Sequence, residues 1–339
     1  MKLRVGLVGL GDAWESRHRP ALRALGDRFE VRAVCTDVAA IAERTAREFD
    51  AVAIDGFRAL AYRPDVDAIL MLSPDWYGPL PILAACDAGK AIYCASALDI
   101  APSRAAEIRS RVERSGVAFM AEFPRRVTPA TLRLKELMAT CLGPPRLLFC
   151  HERLKPRPRP SNGHARWQHG TSDEMRHLME LVDWCRYVVG REPSSVVGVT
   201  HRAGPQAETD YQMMSLDFSA EGEAGTGTLA QISCGSYLPA SWPEAATFRP
   251  PAALQVSCEQ GVAFVDNPST LIWFDKAGRH HESLDSERPV GEQLLTQFHR
   301  AVTSLVRKAG DLEDAYRALQ IVQAARAGVE EGRRMQLEL

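Results

Sequence analysis

Over the first 120 residues, short apolar runs alternate with stretches of helical spacing. Arg4 to Val8, Val31 to Cys35, Ala68 to Leu72, Ala91 to Cys94 and Ala118 to Ala121 read as strands. Between them Pro20 to Leu25, Val38 to Phe49, Tyr77 to Ala88 and Ser103 to Ser115 carry helix formers, with Gly89 as a stop for the third. Strands alternating with crossover helices predict a parallel, doubly wound sheet.

The pattern changes after about residue 122. A helix (Pro129 to Thr140), a strand (Arg146 to Glu152), a Pro/Arg loop (Lys155 to Pro160) and a long helix (Ser172 to Val189) come first. Period-two stretches follow at Tyr211 to Phe218, Gly225 to Ser236, Ala253 to Cys258, Val262 to Asp266 and Thr270 to Phe274, with a hairpin turn expected at Gly278-Arg279. Helices at Gly291 to Arg307 and Leu312 to Glu331 end the chain. The expected fold is α/β: a Rossmann-type domain over 1–121, then an α+β domain over 122–339 with a large open, mainly antiparallel sheet. The last helices are free to pack back on the first domain.

Composition narrows the function classes. The chain has 339 residues, 45% of them hydrophobic and 25% charged, enough for two globular domains. Its 41 Lys+Arg and 43 Asp+Glu give a net charge of -2, so no basic field draws nucleic acid or an anionic membrane. No apolar run approaches the ~20 residues of a membrane span, and the glycine-rich start is unlike a signal peptide. Eight cysteines without a C-x-x-C spacing read as buried free thiols. No spacing of ligands suggests a metal. The expected location is the cytoplasm.

Gly9-Leu10-Gly11 follows the first strand and precedes helical residues, the context in which glycines let backbone N–H groups approach a pyrophosphate. Asp12 and Ala13 continue that turn. Trp14 occupies the place of the third glycine of G-x-G-x-x-G, so the indole either forces helix and strand apart or rotates outward to cover the cofactor. At the end of the second strand, Thr36 and Asp37 are candidates for the ribose hydroxyls, which favours NAD while leaving NADP possible. Asp37 reads equally as a helix N-cap.

These features resemble the glucose-fructose oxidoreductase / inositol dehydrogenase (Gfo/Idh/MocA) family. The resemblance runs through Gly9-Leu-Gly with Pro20-Ala-Leu behind it, Val66 to Asp75, Ala84 to Cys94, Glu122-Phe-Pro-Arg-Arg-Val-Thr-Pro-Ala130, Leu181 to Gly190 and Leu312 to Leu319. It implies a Rossmann domain joined to an open-sheet α/β domain. It also implies a nicotinamide cofactor near Ser73, Pro74, Asp75 and Ala95, a small hydroxylated substrate such as a sugar, polyol or keto-sugar, and a homodimer or homotetramer assembled through the second domain's sheet.

The catalytic motifs depart from that pattern. Ala95-Ser96-Ala97 stands where the family has Glu-Lys-Pro, so Ser96 supplies a neutral hydrogen bond instead of the lysine's charge. Aligned without gaps, the family's Asp, His and Asp of the long helix fall on Arg176, Glu180 and Asp183, and Gly78 replaces another histidine. Arg176, Glu180 and Asp183 share a helix face, with His177 one step round. Glu180 is the first candidate base, Arg176 a carbonyl or carboxylate partner, and an Arg176–Glu180 ion pair the structural alternative. A gapped alignment makes Asp173 and His177 the aspartate and histidine instead.

Arg125 and Arg126 read either as a substrate clamp or as an interdomain salt bridge. Trp167 and His169, with His164, fall where a sugar platform is expected. Thr171 to Glu174 looks like a capping box. Lys155 to Pro160 is a lid, an intersubunit arm or a solvated spacer, and His280-His281 an exposed pair in the hairpin. Three functions remain open: an oxidoreductase with altered catalytic residues, a non-catalytic cofactor or ligand sensor, and non-redox chemistry that uses held NAD as a temporary oxidant.

Overall fold

The computed structural model describes residues 1–73, 77–95, 102–154, 173–202, 204, 209–220, 222–238, 241–246, 248, 251–266, 268–285, 287–304 and 310–338. The chain forms two compact units, one of residues 1–124, 166–172 and 288–316, the other of 125–165, 173–287 and 317–339.

In the first unit the strands β1 (Leu3–Val8), β2 (Phe29–Cys35), β3 (Val52–Ala53), β4 (Ala68–Met71), β5 (Ala91–Cys94) and β6 (Phe119–Ala121) form one sheet in the order β3-β2-β1-β4-β5-β6. All its pairings are parallel. Every residue of β4 and β5 is buried, as expected for strands covered on both faces. Helices α1 (Arg19–Ala24), α2 (Ala39–Glu48), α3 (Phe57–Ala61), α4 (Leu80–Asp87) and α5 (Pro102–Ser115) alternate with the strands, and α8 (Val290–Thr303) joins this unit. The order reverses between β1 and β4, the switch point where such sheets open a crevice at the carboxyl ends of their strands.

The turn after β1 takes the first of the two courses open to Trp14, with the indole kept inside and the chain spread around it. Trp14–His18 forms a π-helical turn, a wider coil than an α-turn, ahead of α1. Trp14 is only 6% exposed and its ring lies 6.0 Å from that of Phe49 at the end of α2. The indole therefore points inward, and the chain accommodates its bulk by widening the turn, so it forms no outer cover for a cofactor.

The second unit is built on a nine-stranded sheet in the order β14-β13-β12-β11-β7-β10-β9-β8-β15. Its strands are β7 (Pro145–Arg153), β8 (Ser195–Arg202), β9 (Thr209–Asp217), β10 (Leu229–Gly235), β11 (Leu254–Cys258), β12 (Val262–Asp266), β13 (Thr270–Asp275), β14 (Gly278–Ser283) and β15 (Met335–Gln336). Only β7 and β10 pair in parallel; the other pairings are antiparallel. Along β7 the residues Leu148 and Cys150 are buried while Leu147 and Phe149 are 40% exposed, so one face of the sheet is packed and the other open. The helices are α6 (Pro129–Leu137), α7 (Asp173–Val189) and the greater part of α9 (Gly310–Glu331). The β13–β14 hairpin closes Asp275 against Gly278 across Lys276-Ala277, so the expected Gly278-Arg279 turn is already strand. His280 stacks on Trp273, with ring centroids 4.7 Å apart, and His281 is exposed.

Candidate functional site

One candidate site, in the first unit, is the loop between β1 and α1. Gly9 and Gly11 both sit at φ 64, where a side chain is disfavoured. A Cβ at Gly11 would stand 2.7 Å from the Leu72 carbonyl oxygen and 3.3 Å from the Ser73 Cβ, at the end of β4. The glycine thus lets two loops meet at the switch point. The N–H groups of Gly11, Asp12 and Ala13 donate to no acceptor among the described residues, which suits a cradle for a pyrophosphate. Asp37 is exposed beyond β2 and accepts a hydrogen bond from the Thr36 hydroxyl, 3.0 Å. The N-cap of α2 is Val38, without a side-chain cap, so Asp37 is not the helix cap. Ala95 donates its N–H to the Met71 carbonyl and closes β5 onto β4. These residues fit a dinucleotide: glycines and N–H groups for the phosphates, Asp37 for the ribose. Pro74, Asp75 and Ser96 lie outside the described residues.

Behind this crevice is a polar cluster that motif reading missed. Glu122, the residue after β6, is buried and accepts from the Tyr93 hydroxyl at 2.7 Å, while its other contacts are His18 Nε2 at 2.7 Å and Arg17. Burial alone would raise the Glu122 carboxyl, but His18, Arg17 and Tyr93 outweigh it and hold the group at about 2. Burial and the Glu122 anion push the Tyr93 phenol well above its ordinary value. In the sequence Glu122 stood only as the first residue of the Glu122 to Ala130 motif, with nothing to mark Tyr93, His18 and Arg17 as its partners.

The second unit holds another constellation, between β7 and α7. Glu152 on β7 accepts from Arg125 Nη2 through both oxygens, at 3.0 and 2.9 Å, and its Oε2 lies 3.1 Å from His177 Nδ1. Glu180, one helical turn beyond His177, stands 3.7 Å from Arg125 Nε. Burial would raise Glu152, yet His177 and Arg125 hold it at about 2. Arg125 lies over the Trp184 ring at 5.3 Å, and Trp184 Nε1 donates to the Thr131 hydroxyl at 3.0 Å. Thr128 caps α6 and donates to that same hydroxyl, 2.8 Å, so the cation rests on a fixed floor.

Asp183 is placed differently from the expectation of a catalytic acid. It is 2% exposed and is gripped by Arg126, whose Nε donates at 2.8 Å, and by Arg186 at 3.4 Å. Arg186 and Arg317 in turn share Glu192. A buried carboxylate between two guanidiniums has its charge neutralised and no room for substrate, so it ties α7 down. Arg125 pairs with Glu152 and Glu180, and Arg126 with Asp183, all within the second unit. Glu180 has Arg125 as its ion-pair partner, while Arg176 is half-buried on the same helix. Glu152 was not singled out in the sequence, because only the docking of α7 on β7 brings it to His177. Lys155 to Pro160, His164, Trp167, His169 and the Thr171-Ser172 start of the capping box lie outside the described residues. Among the described residues no three His, Cys, Asp or Glu side chains group as a metal site.

Comparison with known proteins agrees with this geometry. Residues 3–123 match the Gfo/Idh/MocA oxidoreductase family, described by its NAD-binding Rossmann fold. Inositol 2-dehydrogenase of Acidothermus cellulolyticus is 31% identical over 207 residues, which is 60% of this chain and 59% of that protein. The uncharacterized oxidoreductase YrbE of Bacillus subtilis is 29% identical over 141 residues, 41% of this chain and 40% of its own. The matched stretches thus span less than two thirds of either relative. An NAD-binding oxidoreductase from Klebsiella pneumoniae superposes over 100% of both chains with a TM-score of 0.80 at 19% identity. UDP-N-acetylglucosamine 3-dehydrogenase from Acidithiobacillus ferrooxidans covers 98% of this chain and 99% of its own, with a TM-score of 0.75 and 19% identity. The sequence match lies in the first domain and the likeness of fold extends through both. Over residues 3–123 the chain is similar to the NAD-binding Rossmann domain of the Gfo/Idh/MocA oxidoreductase family.

Proposed function

We propose that this protein is an NAD-dependent oxidoreductase that moves a hydride to or from a CH–OH carbon of a sugar, cyclitol or related hydroxy compound. The observation that carries the reading is the Gly9–Gly11 turn, with both glycines at φ 64 and Gly11 packed on the end of β4. Gly9, Gly11, Asp12 and Ala13 would hold the pyrophosphate, and Thr36 with Asp37 the adenosine ribose. The bound nicotinamide would supply the hydride acceptor or donor. The charge on Asp37 opposes a 2′-phosphate, which favours NAD over NADP. The β7–α7 constellation, with Glu152, His177 and Glu180, is the proposed seat of proton transfer, and the family's lysine has no counterpart at Ser96. The open face of the nine-stranded sheet, with Leu147, Phe149 and Val199 exposed, is the proposed surface for a homodimer or homotetramer. Free thiols and the lack of a long apolar helix among the described residues accord with a cytoplasmic site of action.

Titration of purified protein with NADH and NADPH by calorimetry tests the reading. Micromolar affinity for NADH, weaker affinity for NADPH and a reversal of that order on Asp37→Arg are expected. A screen of polyols, sugars and keto-sugars then follows the change in NADH absorbance. Folded, nucleotide-free protein that binds neither cofactor would overturn the proposal and favour a ligand sensor.

A further inference from the structure

Glu152, His177 and Glu180 gather around Arg125 between β7 and α7, with Asp183 further along the helix. Glu180 stands 3.7 Å from the buried Arg125 guanidinium and is paired with it. Asp183 is closed off by Arg126 and Arg186. Glu152 is held as an anion by Arg125 and His177. His177 remains, 27% exposed, with Nδ1 turned to Glu152 and no described partner on Nε2.

Resting on the oxidoreductase reading above, we propose that Glu152 is a positioning residue that fixes His177 as its Nδ1–H form and so leaves Nε2 as the proton acceptor of the reaction. A carboxylate is acceptor-only, so the 3.1 Å contact requires the hydrogen on Nδ1. The lone pair on Nε2 then faces away from Glu152. In alcohol oxidation Nε2 would accept the O–H proton, and a bound nicotinamide would supply the acceptor for the C–H electron pair as the C–O bond becomes C=O. The Glu152 anion balances the imidazolium formed, and the reverse step returns the proton to the alkoxide oxygen. Arg125 acts one step further back. Its Nη2 bonds both Glu152 oxygens, and its stacking on Trp184 limits the swing of the carboxylate. The pairing crosses from strand to helix, which fixes the ring against both elements.

Nitrogen-15 NMR of histidine-labelled, cofactor-free protein tests the assignment without any substrate. His177→Asn identifies the signal. Wild type is expected to show protonated Nδ1 and a bare Nε2 for His177, and Glu152→Ala to shift it towards the Nε2–H form, with melting temperature and NADH affinity as folding controls. A wild-type Nε2–H form overturns the proposal even if no Glu152 variant folds. Assays with myo-inositol and NAD+ add a kinetic arm. There His177→Asn is expected to lower kcat about 100-fold and Glu152→Gln about tenfold at little change in KM. A larger loss in Glu180→Gln than in His177→Asn overturns it too. If wild type turns over neither myo-inositol nor any compound of the polyol and sugar screen, the oxidoreductase reading suffers, while the NMR result still decides whether Glu152 orients His177.

Discussion

Gly11 carries two constraints that no other residue satisfies, a left-handed backbone and a neighbouring carbonyl 2.7 Å from where a Cβ would stand. Gly11→Ala is expected to cost about 1–3 kcal/mol of stability, and to weaken NADH binding more than about tenfold because the turn must move away from β4. Urea denaturation and calorimetric titration measure the two effects separately. This glycine was legible in the sequence because its role is local: strand, tight turn, helix. Asp183 shows the opposite case. Its place in the motif read as catalytic, and only the two arginines brought against it by folding show that its charge is already spent. Glu152 was invisible for the same reason, since its partner His177 is 25 positions away and on another element.

Helix α7 owes its precise placement to contacts along its length. Arg126 and Arg186 hold Asp183, Trp184 reaches Thr131, and Lys135 Nζ donates to the carbonyls of Tyr187 and Val188 at 3.1 and 3.2 Å, satisfying the helix end. Arg126→Ala should therefore destabilise the protein by about 3 kcal/mol, because a buried carboxylate loses its bidentate partner. Arg126→Lys should recover only part of that loss in a thermal melt, since an ammonium cannot form the fork. Strands with clear period-two patterning, such as β12 and β13, were legible almost to the residue. β8 was missed because its exposure does not alternate cleanly, and β3 and β15, of two residues each, carry too little pattern to detect. The π-helical turn could not be read either, since its width answers to where the Trp14 side chain goes.

For the molecule as a whole, acid is the predicted weakness. Glu122 and Glu152, one in each unit, are both lowered from 4.5 to about 2. A carboxyl that binds its proton less readily when folded stabilises the native state above its unfolded pKa and loses that contribution as pH falls. Stability should therefore be level above about pH 5 and decline from about 4.5 towards 2. Urea midpoints at pH 6, 4 and 3 should show the decline, and Glu122→Gln should flatten it while lowering the midpoint at pH 6. The inward indole of Trp14 has an optical consequence. Trp14, Trp184 and Trp273 are at most 6% exposed, whereas Trp242 is 59% exposed. Emission from the first three should be blue-shifted and resist acrylamide, leaving a red-shifted fraction that quenches freely. Nucleotide arriving at the glycine turn cannot stack on Trp14, so its binding should register through energy transfer from the shielded indoles to reduced nicotinamide, a signal that acts through space and needs no contact.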